Sequence, residues 1–268
     1  MFTVRLISGI ILLLGTFLIL NFGGDILFIA TAALSLMGMF ELYRVKKIEK
    51  SFLGIWGYVT ACVYFIFIRF SLDEYVLLLL IFAFMIWAGV LVAAFPRYAV
   101  EDVIFAFMGV VYVAVMLSYL YKARMAAHGN YFVWLIFVGA WGCDTCAYCA
   151  GKLLGKHKLA PVLSPKKSVE GAIGGIVGAM LLGLLFAVFV NPGIDIDGNV
   201  KLFCVLTNLA VAVISQIGDL TASAIKRTYG IKDYGTLIPG HGGIMDRFDS
   251  VIFSAPAVYF AIMMFTRR

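Results

Sequence analysis

Charge is what this chain has least of. Only 13% of its 268 residues are Asp, Glu, Lys or Arg, while 63% are hydrophobic and the mean hydropathy is +1.02. A soluble domain of that composition would have to expose large apolar patches, so the reading is an integral membrane protein. The glycine-rich motifs of soluble nucleotide folds are missing: neither GxxxxGK[ST] nor GxGxxG occurs. No strong internal repeat is present, which removes the inverted-repeat signature of many transporters. No A-x-A-like cleavage site precedes a soluble domain, so the first apolar run reads as a retained span. Cysteine is sparse, and all five lie inside apolar runs. Cys143, Cys146 and Cys149 follow one another at intervals of three on a helical stripe with no obvious fourth ligand. They read as small buried hydrophobes more readily than as a zinc site, and no disulfide framework is implied.

What is present is hydrophobic sequence in span-length pieces. A bilayer core about 30 Å thick needs about 20 apolar helical residues. That ruler predicts nine spans: 6–22, 26–43, 52–69, 75–95, 102–121, 131–150, 169–190, 202–225 and 250–266. Gly23-Gly24-Asp25 joins the first two as a tight hairpin. The expectation is an all-α polytopic membrane protein, a single membrane domain over 1–268. Residues 1–125 would be mainly scaffold and 126–268 the catalytic half.

Orientation follows from Lys and Arg, which favour cytoplasmic loops. With a cytoplasmic N-terminus, 15 of the 21 fall on the cytoplasmic side. Lys122 and Arg124 are exceptions, and the opposite side also holds an acidic loop with Asp195 and Asp197. Both rich polar segments, 151–168 and 226–249, then face the cytoplasm together.

Ionisable residues inside spans are costly and point to function or to a buried partner. Glu41 ends the second span beside Arg44, and reads as an interfacial carboxylate. Asp144 lies within the sixth span and shares a face with Tyr148 and Gly151. A candidate site residue is one reading of it; an Asp144–Lys152 pair serving packing is the other. After that span, Ser164-Pro165-Lys166-Lys167-Ser168 leads into the seventh, with Ser168 as N-cap and Glu170 in the first turn. Two lysines at a helix N-terminus suit a phosphate. His157 reads as solvated. Gly171, Gly174, Gly175 and Gly178 form small-xxx-small spacing, a signal of close helix packing.

The most polar stretch is 223–249, SAIKRTYGIKDYGTLIPGHGGIMDRFD. Just upstream, Gln216, Asp219, Ser223 and Lys226 are spaced three, four and three, which places them on one helical stripe. Lys226 is roughly 10 Å of helix rise beyond Asp219, so a direct pair is awkward and a bound cation is the natural partner. Asp246 would face Asp219 across a cytoplasm-facing polar cavity, with Arg247 and Asp249 at its mouth. The glycines around His241 let backbone come close to a ligand. Carboxylates, cations and exposed amides together are the parts needed for magnesium-dependent nucleotide chemistry.

The run Ser223-Ala-Ile-Lys226-Arg227, Lys232-Asp233-x-Gly235, Pro239-x-His241-Gly242-Gly243-x-x-Asp246-Arg247-x-Asp249 resembles the signature of the phosphatidate cytidylyltransferase (CDP-diacylglycerol synthase) family, with no position departing from it. Supporting resemblance extends to Asp144, Lys166-Lys167, Glu170-Gly171 and Asp219. The resemblance implies a nucleotidyltransferase of phospholipid biosynthesis: CTP plus phosphatidic acid gives CDP-diacylglycerol plus pyrophosphate. It also implies magnesium, with a second metal ion open, a homodimer in the bacterial cytoplasmic (inner) membrane, and no nucleic-acid partner. On that basis Asp219, Asp246 and Lys226 are expected to be catalytic, with Asp219 and Asp246 as metal ligands and Asp144 and Asp249 as further candidates. Ser223, Arg227, Lys232, His241, Gly242, Gly243, Arg247, Lys166 and Lys167 are expected to bind substrate. A CTP-dependent polyprenol or phytol kinase is the nearest alternative, and an ion-coupled transporter a more distant one.

Overall fold

The structure, a computed structural model, describes residues 2–190, 199–240 and 242–266. Asp195, Asp197, His241, Arg267 and Arg268 lie outside the described residues. Among the described residues eleven α-helices follow in chain order: α1 Phe2–Phe22, α2 Gly24–Val45, α3 Phe52–Arg69, α4 Val76–Ala93, α5 Val100–Gly109, α6 Met116–Met125, α7 Gly129–Phe132, α8 Trp134–Leu154, α9 Val169–Val190, α10 Val200–Thr228 and α11 Met245–Thr266. A π-helical turn, Val110–Val115, joins α5 to α6, and α7 runs directly into α8. Among the described residues eight helical segments are long and apolar enough to cross a membrane, and α1 adds a shorter apolar stretch over Leu6–Phe22. The nine expected spans therefore all fall on helices. Their outer faces carry large exposed hydrophobics, among them Ile11, Leu77, Phe82, Leu181 and Phe260. A polytopic helical membrane protein requires that surface, because lipid rather than water covers it.

The local chemistry explains the helix ends. Gly23 and Gly24 turn the chain between α1 and α2 at φ of 61° and 50°, a region that suits glycine. Arg124 Nε donates to the Leu20 carbonyl at 2.9 Å, satisfying an orphan acceptor at the end of α1. Lys122 pairs with Asp73. The two cations that break the positive-inside bias thus have structural partners. Ser51, Ser168 and Asn199 each accept a backbone N–H at the start of α3, α9 and α10. At the end of α10, Gly230 adopts φ 66°, with Gly230 N donating to Arg227 O and Ile231 N to Lys226 O, a Schellman stop.

The C-terminal helices pack through small residues. A Cβ on Gly174 would lie 2.3 Å from Ala150 Cβ, one on Gly178 would lie 2.4 Å from Cys146 Sγ, and one on Gly175 would lie 2.9 Å from Cys143 Sγ. The glycine face of α9 therefore lies directly on α8, and Cys143 and Cys146 are packing surface for it. Gln216 Nε2 donates to the Ala172 carbonyl at 3.2 Å, tying α10 to α9. Between α8 and α9 the chain forms a two-stranded antiparallel hairpin, β1 Lys158–Ala160 and β2 Ser164–Ser168, with Lys158 opposite Ser168 and Ala160 opposite Ser164. The segment carrying Lys166 and Lys167, read from sequence as a loop, is thus a strand that leads straight into α9.

In the N-terminal half, Tyr43 is fully buried and donates to the Ala106 carbonyl at 2.5 Å. Gly57 and Gly109 make room for its side chain, since a Cβ would lie 2.4 Å from the hydroxyl oxygen at Gly57 and 2.3 Å from the ring at Gly109. Trp87 on α4 donates to Leu53 O, and Trp56 on α3 donates to Ala83 O, so each indole N–H crosses between the two helices.

Candidate active site

A cavity of about 390 Å³ is walled by α8, β2, the start of α9, and α10. Its polar lining is Asp144, Tyr148, Lys152, Lys166, Lys167, Ser168, Gln216 and Asp219. These residues come from three distant parts of the chain. α10 presents Gln216 and Asp219 on the stripe that their spacing predicted. β2 delivers Lys166 and Lys167 because the hairpin folds back over the end of α8. Glu170 holds that hairpin: its carboxylate accepts the backbone N–H of Lys156 at 3.0 Å and contacts His157 Nδ1 at 2.6 Å. His157 is exposed, yet it has this partner.

Charge in the cavity is balanced between helices. Asp219 forms an ion pair with Lys167, so a lysine from β2 answers the question of what accompanies this carboxylate. Asp144 is exposed into the cavity and lies close enough to Asp219, Lys167 and Arg247 to feel their charges. Asp249, buried at the start of α11, senses Asp219, Asp144 and Lys226. Three carboxylates from α8, α10 and α11 therefore share one electrostatic neighbourhood with Lys167, Lys226 and Arg247.

The signature loop between α10 and α11 is a separate, tightly bonded unit. Asp246 is only 3% exposed and pairs with Lys226 at 2.8 Å. Its other oxygen accepts the backbone N–H groups of Tyr234 at 2.8 Å and Gly243 at 3.0 Å. The sequence expectation had Asp246 facing Asp219 across the cavity. In the structure Asp144 lines the cavity with Asp219, while Asp246 folds the loop. Burial pushes the Tyr234 hydroxyl well above the usual tyrosine range, so it stays a neutral donor to the Ala222 carbonyl at 3.0 Å. Ile238 N donates to Gly242 O, and Gly240 and Gly242 take φ of 75° and 89° to close the turn.

Glu41 is the residue that sequence reasoning misjudged. It is not interfacial but 5% exposed, and it accepts the N–H groups of Ile244 at 3.1 Å and Met245 at 2.9 Å. A carboxylate at the N-terminus of α11 satisfies orphan donors there and complements the helix dipole. Arg44, one turn on, donates to the Tyr234 carbonyl at 2.7 Å. Helix α2, in the half read as scaffold, thus clamps the signature loop. The signal was available: an acid inside an apolar span is a functional residue by default.

The remaining expected residues are placed as follows. Ser223 is buried on α10. Arg227 is exposed, with Nε 3.4 Å from the Leu163 carbonyl on the hairpin. Lys232 is exposed on the loop. Gly242 and Gly243 line the inside of the turn beside Asp246, and Arg247 is half-buried at the start of α11. His241 lies outside the described residues.

The donor set is hard oxygen. No cluster of three or more His, Cys, Asp or Glu side chains among the described residues is arranged to hold a metal ion by itself. Small divalent cations are commonly held by one or two carboxylates plus substrate phosphates. Asp144 and Asp219, with lysines beside them, fit a metal–nucleotide complex of that kind.

The model of the Cytidylyltransferase family matches residues 3–265. The chain belongs to that family. This cytidylyltransferase is 37% identical over 258 residues to a protein of Staphylococcus epidermidis (strain ATCC 35984), with 94% of this chain and 96% of that one aligned. It is 35% identical over 259 residues to one of Staphylococcus saprophyticus, again covering 94% and 96%. It is 32% identical over 271 residues to one of Bacillus subtilis (strain 168), covering 98% of each. All three relatives bear the name phosphatidate cytidylyltransferase.

Proposed function

We propose that this cytidylyltransferase transfers CMP from CTP to phosphatidic acid, giving CDP-diacylglycerol and pyrophosphate. The observation that carries the reading is the convergence of Asp144, Asp219, Lys166 and Lys167 in one cavity, in a chain whose relatives bear that name over nearly their full length. A phosphate oxygen of phosphatidate attacks the α-phosphorus of CTP. The new phosphorus–oxygen bond forms as the bond to the β-phosphate breaks, and pyrophosphate leaves. Both reactants are polyanions, so the protein's task is to hold them in line and offset repulsion. Lys166 and Lys167 hold the triphosphate from β2. Lys226, Arg227, Lys232 and Arg247 supply further positive charge from the α10–α11 side, and the glycine turn around His241 lets backbone approach the substrate. Ser223 lies on the same stripe. Phosphatidate is largely ionised near neutral pH, so no strong general base is assigned.

Magnesium is the metal proposed, with Asp219 and Asp144 as the carboxylates that would hold it and Asp249 behind them. When bound it supplies charge neutralisation on phosphate oxygens. Asp246 orders the loop through Lys226, Tyr234 and Gly243. The site faces the cytoplasm of a bacterial inner membrane, on the strength of the Lys and Arg distribution, and the working unit is a homodimer.

The deciding experiment incubates purified protein with α-labelled CTP, phosphatidate and magnesium. The expected products are pyrophosphate and a lipid that carries the label. In a parallel incubation with a polyprenol in place of phosphatidate, formation of CDP and a phosphorylated alcohol would instead make it a lipid kinase, and solute flux into vesicles without CTP turnover would make it a transporter.

A further inference from the structure

Against the signature loop lies a second cavity of about 520 Å³, between α2, α3 and loop residues 235–237. Its wall from α2 and α3 is Leu36, Met37, Phe40, Glu41, Arg44, Tyr58 and Cys62. The lining is graded. α2 rises about 12 Å from Leu36 to Arg44, at 1.5 Å per residue, and passes from apolar side chains to a guanidinium. On α3, which starts after the same turn at Phe52, Tyr58 lies about 9 Å and Cys62 about 15 Å along the helix. Met37, Phe40 and Leu237 are exposed, as are Cys62 and Arg44.

Two groups at the polar end have bonding capacity to spare. Arg44 spends one Nη on the Tyr234 carbonyl, which leaves other donors of its planar fork, a geometry that matches phosphate. The Tyr58 hydroxyl is buried and has no hydrogen-bond partner, a state that buried polar atoms rarely keep. Of the two nearby acids, Glu41 is occupied by Ile244 N and Met245 N, and Glu49, close enough to Tyr58 to act on its hydroxyl, has a buried oxygen that likewise lacks a partner. An anionic headgroup with ester oxygens below it and an acyl chain below those would satisfy the Arg44 and Tyr58 donors in order.

We infer that this groove holds phosphatidate, with its phosphate at Arg44, an ester oxygen at the Tyr58 hydroxyl and an acyl chain along Leu36, Met37, Phe40 and Cys62. This assignment rests on the reaction proposed above, and it names where the diacyl substrate docks against the signature loop. The groove is a lipid-facing entrance beside that loop, and the headgroup moves on from Arg44 to the nucleotide in the lysine-lined cavity for the reaction.

Cys62 is a built-in probe. The protein, in nanodiscs without CTP, is treated with a membrane-permeant maleimide, and labelling at Cys62 is quantified by peptide mass spectrometry against Cys149, which is exposed on α8. Phosphatidate is expected to slow Cys62 labelling at least fivefold and to leave Cys149 within twofold. Phosphatidylcholine and phosphatidylglycerol with the same chains are expected to leave both unchanged. Absence of protection overturns the assignment, and so does equal protection by either of the other lipids. In the enzymatic assay Cys62→Trp, which fills the groove, is expected to raise KM for phosphatidate several-fold with KM for CTP unchanged; an unchanged KM for phosphatidate overturns it. Labelling needs no turnover, so the two readings fail separately. Protection without any CDP-diacylglycerol formation removes the reaction but keeps a phosphatidate site, whereas product formation without protection removes the groove.

Discussion

Glu41 and Gly243 should behave as a coupled pair, although 202 positions separate them. Removing the carboxylate in Glu41→Ala leaves the N–H groups of Ile244 and Met245 buried without an acceptor. At about 1–3 kcal/mol for each orphaned donor, a total near 3 kcal/mol is expected. Gly243→Ala acts on the same contact from the other side, because the new Cβ would sit 2.4 Å from both Glu41 carboxylate oxygens. Overpacking of that kind costs about 1–3 kcal/mol. In the double variant the clash has no carboxylate to meet, so the two effects should fall short of additive by more than about 1 kcal/mol. The assay is kcat/KM for CDP-diacylglycerol formation in the four proteins. About 3 kcal/mol corresponds to roughly a hundredfold loss for Glu41→Ala. The double variant should then be no worse than about tenfold below that single one. Additivity within about 0.5 kcal/mol, or a Glu41→Ala enzyme of near-normal activity, would refute the claim that α2 holds the signature loop.

Asp219→Asn and Asp144→Asn should each lower turnover by about a hundredfold or more, given what single groups that stabilise charge contribute. Activity lost on chelation should return with magnesium; near-normal turnover in both variants removes the metal assignment. Lys226→Met leaves Asp246, 3% exposed, without its cation. That should cost about 3–5 kcal/mol and show as lost monodisperse protein on size exclusion, and adding Asp246→Asn should recover part of it. Gly174→Leu drives a side chain into Ala150 across the α8–α9 contact, where even a Cβ would lie 2.3 Å away. A clear fall in the thermal midpoint of detergent-solubilised protein is expected, while the same change at Gly89, with no atom within 4 Å of a Cβ, should be tolerated.

Much of the site was legible because its residues carry strong local signals. An aspartate within an apolar span is visible by itself, as with Asp144 and Asp219. Positions three and four apart on α10 must share a face, so Gln216 and Asp219 could be placed on one wall without a structure. Lys166 and Lys167 were assigned to the site by charge and orientation, and the hairpin brings Lys167 to Asp219. Partners across long gaps in sequence were not legible. Nothing near Glu41 announces that its acceptors are spent on Ile244 and Met245. Nothing near Asp246 announces that Lys226, Tyr234 and Gly243 take up its carboxylate and leave Asp219 to line the cavity without it.

The sequence by itself determined that this is a helical membrane protein with a charged cytidylyltransferase signature. Span length, apolar composition and helical periodicity are properties of contiguous residues, and lipid leaves the backbone few other choices. Only the tertiary structure decided which carboxylate faces the cavity, which one folds the loop, and that α2 holds that loop. Those outcomes depend on which side chain reaches a donor or cation first when α2, α8, α10 and α11 pack together. That competition is settled by distances of a few ångströms between residues up to 204 positions apart, and no local pattern records it.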